Sequence, residues 1–277
     1  MSELGEHCII IEAGRTDRQY WKDLWSYREV LWLLSARDLT VRYKQTVVGV
    51  LWALVRPLMT IVTFTVLLGK VAALPSEPGV PYSVLVFSGM LIWTFFAQCL
   101  DGVSNSLLAN NNLISKVSLP RLLIPISAIA VAMADFALAL LLFAALLAWF
   151  SLVPPAQCLL IPCFVLLAGL LALGPGLICA ALSVSYRDIR FIVSVVVQLG
   201  MYVSPVVYTS ALVPERWQWL YMLNPMVGVV DGFRWALLGA PAFPITALLF
   251  SGAWCLGLLA AGIALFRNQE RTFVDVL

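Results

Sequence analysis

The sequence predicts an all-α integral membrane protein with six transmembrane helices, an N-terminal cytoplasmic interface helix and a re-entrant periplasmic hairpin before the last span. Of the 277 residues, 62% are hydrophobic and only 12% charged, and mean hydropathy is strongly positive. That much apolar surface cannot be hidden in a water-soluble globule of this size, so lipid must be the solvent. The charges are also clustered, leaving six apolar runs of the roughly 20 residues that cross a hydrocarbon core. Lys and Arg crowd into alternate connections, which orients those runs.

Residues 1–45 read as a cytoplasmic segment. The first 44 carry seven Lys or Arg, with neither a long apolar run nor a small-residue cleavage site, so the segment is expected to be retained. Within it, residues 20–39 have a helical pattern, with Tyr20, Leu24, Tyr27, Leu31 and Leu34 on one face and Lys22, Ser26, Glu29 and Arg37 largely on another. This stretch is too charged to cross. Its Trp21, Trp25 and Trp32 suit the headgroup level, so a helix lying along the interface is expected.

The transmembrane domain then covers residues 46–268, with spans at about 47–68, 82–100, 122–150, 157–184, 191–208 and 245–266, and residues 269–277 form a cytoplasmic tail. An inward N-terminus places the basic N-terminal segment, Lys116, Arg121, Arg187, Arg190, Arg267 and Arg271 inside, and only Lys70, Arg216 and Arg234 outside. Both termini are thus cytoplasmic, in an inner membrane. The fifth span is the shortest and contains Pro205. Before the sixth, an apolar stretch from Pro225 to Gly239 is too short to span; Asp231 and Arg234, spaced i,i+3 so that they can pair on a helix, fit a re-entrant hairpin or a surface helix.

Two stripes carry mechanism. Ala168, Ala172, Gly176 and Ala180 recur every fourth residue and predict a close packing face in span four. Ala128, Ala132, Asp135 and Ala139 share a face of span three, pointing an intramembrane carboxylate at protein, where it needs a partner. A structural hydrogen-bonded acid and a proton relay are both open at this point.

Several chemistries are excluded. The single histidine is His7, near the terminus, which removes His-based acid–base and metal chemistry from the spans. The six cysteines have no metal or redox spacing. A net charge of +2 gives no reason to invoke nucleic acid. Neither a G-x-x-x-x-G-K-[ST] phosphate loop nor a G-x-S-x-G nucleophile turn occurs, so a catalytic site or bound cofactor in this chain is not expected.

Arg37, Asp38, Arg42, Tyr43, Lys44, Gln45 and Thr46, followed by Gly49, Trp52 and Pro57, resemble the entry to the first span of ABC-2 type permeases that export polysaccharides. Asn112, Leu113, Ile114, Lys116, Val117, Pro120, Arg121 and Pro125 resemble that family's connection between spans two and three. Tyr186, Arg187 and Asp188, then Tyr202, Ser204, Pro205 and Tyr208, then Asn224, Pro225, Gly228, Asp231, Arg234 and Trp235, and finally Phe266, Arg267, Glu270, Arg271 and Phe273 extend the match. The subgroup it most resembles is the O-antigen exporter permease of the Wzm type. The resemblance implies a homodimer of permeases bearing two separate ABC ATPase subunits, which hold ATP and Mg. It also implies a polysaccharide linked to undecaprenyl pyrophosphate as cargo.

On that reading the ATPase rests on the interface helix and the connection between spans two and three, here Trp25, Arg28, Asn112, Lys116, Pro120 and Arg121. A sliding polymer with apolar sugar faces wants aromatic walls. Trp52 and Phe64, then Phe87, Trp93, Phe95 and Phe96, then Tyr202 and Tyr208, are the candidates for the conduit, and all could equally serve packing or interfacial belts. Arg37, Arg42, Lys44 and Arg56 are candidates for the lipid pyrophosphate, in a zone that positive-inside topology already fills with cations. Capsule and teichoic-acid permeases share much of the pattern, and the polysaccharide-type motifs argue against the alternative of an ABC-2 permease for small lipids or drugs. A membrane enzyme would want paired carboxylates or His at one interface, and an ion-coupled carrier more intramembrane charge than Asp135 supplies.

Overall fold

A computed structural model describes residues 17–44, 49–71, 79–114, 119–186, 188–239 and 243–270. Among them every element is helical. Four helices are long and apolar enough to cross a membrane: α4 (Tyr82–Ala109), α6 (Leu123–Trp149), α7 (Ile161–Ser185, extended at its start by a 3₁₀ turn over Ala156–Leu160) and α11 (Ile245–Gln269). Two further apolar stretches are shorter. The first lies within α3 (Gly49–Phe64) and the π-helical turn that follows it (Thr65–Val71), and the second is α8 (Ile189–Val203).

The helix α4 is the hub. It packs along α6 and α7 and also touches α3, α8 and α10 (Pro225–Leu238). Its Val84, Phe87, Ile92, Phe95 and Cys99 are buried in the main core. The expected small stripe makes that packing possible: Ala168, Ala172 and Ala180 are fully buried on α7. A side chain at Gly176 would run into Val103 of α4 at 2.6 Å. The helix α4 also continues well past the predicted span end at residue 100, because hydropathy measures what lipid accepts and not where a helix stops. Its last turns are polar, with Asn105 donating to Asp101 at 3.0 Å and Asn110 closing the helix.

The interface segment forms α1 (Asp17–Ser26) and α2 (Arg28–Lys44), joined at Tyr27. Tyr20, Leu24, Tyr27, Leu31 and Leu34 all turn onto a second core with Leu107, Leu122 and Phe266. Trp25 and Trp32 face outward, 73% and 77% exposed, so the apolar stripe serves protein packing while the indoles stay free for a headgroup layer or a partner.

The short helix α10 has its ends written locally. Asn224 caps it by accepting from the Met226 backbone at 3.0 Å, Pro225 occupies the first turn, and Gly239 closes it with φ of 73°. It is buried on nearly every side, with Val229, Val230 and Phe233 fully inaccessible, so it is not a surface helix. Before it, α9 (Glu215–Met222) has no buried residue, and Trp217 and Trp219 are exposed.

Candidate functional site

Two polar clusters stand out in an otherwise apolar bundle. The first ties α2 to the spans. Asp135, buried on α6, accepts from Arg42 at one carboxylate oxygen and from the Tyr43 hydroxyl at the other. The partner that the sequence demands for Asp135 therefore comes from the end of the interface helix, 93 residues away. Burial and the neighbouring carboxylate push the Tyr43 phenol up to about 12, so it remains a donor at neutral pH. Five positions earlier, Arg37 grips Asp38 at 2.6 Å and reaches Asn110, the cap of α4, at 2.5 Å. An acid occupied by a guanidinium and a phenol is suited to holding helices together, which favours the structural over the proton-relay reading.

At the same end, the Arg267 guanidinium lies 4.7 Å from the Tyr20 ring centroid, and Glu270 accepts from the Arg121 backbone at 3.2 Å. Burial, then the Glu270 carboxylate, raise the Tyr20 phenol above its ordinary range. The end of α11 thereby meets α1 and the approach to α6.

The second cluster surrounds a break after α8. Pro205 has no N–H and forces the residue before it out of helical geometry, and Ser204 is indeed extended at φ −92°, ψ 155°. Three successive carbonyls beyond it are each met by a side chain from another helix. Arg234 donates to Val206 O at 2.6 Å and to Tyr208 O at 2.8 Å, and Tyr82 donates to Val207 O at 2.6 Å. Arg234 also reaches Leu85 O on α4 at 3.3 Å. The Tyr208 hydroxyl folds back to Val203 O at 3.1 Å, and Asn224 donates to Ser204 Oγ at 2.9 Å. Irregular backbone survives among membrane helices only when its polar groups are satisfied by protein in this way. Within this cluster Arg234 donates to backbone carbonyls, and Asp231 accepts from the Ser210 hydroxyl.

The aromatic candidates divide. Phe87, Trp93 and Phe95 are buried: Phe87 pairs with Phe143 at 5.4 Å, Phe95 with Phe136 at 5.3 Å, and Trp93 packs over Gly200. In this conformation they have no surface to offer a polymer. Phe64, Phe96 and Tyr208 are half-buried and Tyr202 is exposed. The side chains of Trp52, Lys44, Arg56 and Asn112, and all of Lys116, lie outside the described residues. Of the other ATPase-contact candidates, Trp25 and Arg28 are exposed, and Pro120 and Arg121 are half-buried beneath the end of α11. Sequence reasoning missed Tyr82 and Gly89. Nothing in a span of mixed aromatics marks the one tyrosine that will cap a distant carbonyl. Among the described residues no group of three His, Cys, Asp or Glu could hold a metal ion.

Residues 29–238 match the ABC-2 type transporter family, a stretch that holds both polar clusters. The chain belongs to that family. Three curated relatives are similar to it. The O-antigen export system permease protein RfbA of Klebsiella pneumoniae is 25% identical over 252 residues, 90% of this chain and 95% of the relative. The protein of the same name from Myxococcus xanthus is 27% identical over 257 residues, 92% and 97% of the two chains. The inner membrane transport permease YadH of Escherichia coli K12 is 35% identical, but over only 81 residues, 29% of this chain. As an ABC-2 membrane protein the chain is the permease component of a transporter. One polar cluster ties α2 to the middle of α6 and, through Arg37, to the end of α4, and the other ties α10 and the start of α4 to the break after α8.

Proposed function

We propose that this permease moves a lipid-linked polysaccharide of the O-antigen class outward across the inner membrane. The observation that carries the proposal is the end-to-end match to RfbA proteins, over nine-tenths or more of both chains. In this reading two copies of the chain form the path, and two ABC ATPase subunits bind ATP and Mg and push on α1, α2 and the α4–α6 connection. Residues 1–45 and 269–277 are cytoplasmic. The domain of residues 46–268 crosses six times, with α3 and α8 as the two shorter spans and α9 and α10 as the re-entrant hairpin. The near-complete burial of α10 supports the hairpin, because a 14-residue helix cannot span yet here is enclosed by α4, α7 and α11.

The cargo is a polymer on undecaprenyl pyrophosphate, with the diphosphate met by Arg37, Arg42, Lys44 and Arg56 and the sugars by exposed aromatics such as Tyr202. Cells lacking this chain are expected to accumulate lipid-linked polymer inside and to display none outside, and re-expression together with the ATPase is expected to restore display. Surface polymer that persists without the chain overturns the reading.

Arg42 is engaged by Asp135, so the diphosphate is better tested at Lys44 and Arg56. The double change Lys44→Ala, Arg56→Ala is expected to lower export by roughly tenfold at unchanged protein level, the effect of losing a charge-assisted hydrogen bond. Unaltered export would remove those two residues from the site.

A further inference from the structure

The break after α8 is held by one residue more than by any other. Arg234 is 2% exposed, and through its two terminal nitrogens it joins three separate pieces of chain. It sits on α10, donates to the carbonyls of Val206 and Tyr208 on the broken segment, and reaches Leu85 on α4. The space for this is made by Gly89. A Cβ there would lie 2.3 Å from Val206 O and 2.6 Å from the Arg234 guanidinium, closer than atoms can stand. Only an arginine does this work. Its planar fork meets two carbonyls on one side at fixed separation, whereas a lysine ammonium is a single compact donor that cannot bridge them.

The geometry points to Arg234 as the positioning residue that fixes where α8 ends and carries Tyr202 and Tyr208 with it. Because the same guanidinium is rooted in α10, the tip of α8 and α10 form one mechanical unit resting on α4. If the polysaccharide reading above holds, this unit sets the aromatic wall where the polymer leaves α8. Tyr82, donating to Val207, is its second support.

The test places a cysteine at Thr209, half-buried beside the break, in the full-length chain purified with its ATPase. Labelling by N-ethylmaleimide is followed at the peptide carrying position 209, so the native cysteines do not interfere. Arg234→Lys is expected to raise the labelling rate by roughly tenfold, since two carbonyls of the break lose their charged donor. Gly89→Ala should give a rise of the same order, because its methyl group displaces Val206. Tyr82→Phe, which removes one bond and keeps the ring, should give a smaller rise.

Basal ATP hydrolysis is expected to stay at the parent level in all three, while export of lipid-linked polymer falls. An Arg234 variant that does not accumulate leaves Gly89→Ala and Tyr82→Phe to decide the matter. Unchanged labelling in the variants that do accumulate overturns the positioning role, whatever export does. Raised labelling with unaltered export overturns the link to the polymer path and leaves the polysaccharide reading itself intact.

Discussion

Replacing Asp135 with alanine is expected to lower the melting temperature of the purified protein by about 5–10 °C. The carboxylate accepts from two donors on α2, Arg42 and Tyr43, and sits 8% exposed on α6. Removing it strands a guanidinium and a phenol against the Ala132 face. Hydrogen bonds to charged groups are worth about 1.5–3 kcal/mol when buried. The Arg42 side chain is 46% exposed, so water recovers part of its loss, and about 2–3 kcal/mol in total is the reasonable expectation. For a chain of this size about 1 kcal/mol moves the midpoint by roughly 2–4 °C. Asp135→Asn keeps an acceptor for Tyr43 but not the charge, and should fall about halfway. The discriminating variant is the pair Asp135→Leu with Arg42→Met. If the two residues act as one clamp, the double change is milder than the sum of the singles, because neither charge is left without its partner. Strict additivity would show that α2 is held to α6 by its apolar contacts alone.

How far the sequence foretells this arrangement depends on whether the signal is periodic or pairwise. The face of Tyr20, Leu24, Tyr27, Leu31 and Leu34, which runs across α1 and α2, is readable because helical spacing repeats, and those residues do turn onto one core. The Ala168 to Ala180 stripe was readable for the same reason, and it is buried against α4. That Asp135 needs a partner was equally plain, from the cost of an unpaired carboxylate among apolar helices. Who the partner is was not: Arg42 lies in a zone where positive-inside topology already explains a cation, so its presence carried no signal for a contact 93 residues away. Arg234 shows what a local rule leaves uncounted. The i,i+3 spacing suggests Asp231 as its mate, but no local pairing rule counts the carbonyls of Val206 and Tyr208, beyond the break at Pro205, that Arg234 serves. The warning was in the Ser204–Pro205 dipeptide, a probable end of helix inside an apolar run. For the aromatics no periodic signal separates wall from core, and Phe87, Trp93 and Phe95 turn out to be core.

Gly262→Val is expected to prevent the chain from accumulating in the membrane, while Gly257→Val on the same helix is tolerated. Gly262 faces Gly174 across the contact of α11 with α7. A Cβ at 262 would stand 2.3 Å from the Gly174 carbonyl oxygen, and one at 174 would stand 2.7 Å from the Leu258 carbonyl carbon. These are backbone atoms, which cannot swing aside as a side chain does, so the two helices must part. Beyond α7 the main neighbour of α11 is α10, itself fitted tightly through Gly228 against Ala247, and the contacts with α1 and the approach to α6 come only from its C-terminal end. In lipid, parted helices gain nothing from hiding apolar surface from water, so the loss of close packing is not offset. Gly174 and Gly176 lie about 200° apart around α7, at 3.6 residues per turn. One therefore serves α11 and the other α4, and the two contacts fail independently. Gly257 and Gly252 have open space where a Cβ would go. Alanine at either is expected to be neutral or to stabilise by up to about 1 kcal/mol through helix propensity alone, whereas Gly262→Ala should cost about 1–3 kcal/mol, as overpacking does. Melting temperatures of the three alanine variants decide it. Opposite signs at 257 and 262 locate the cost in the α7–α11 contact, and equal shifts would mean that the helices are not in backbone contact there.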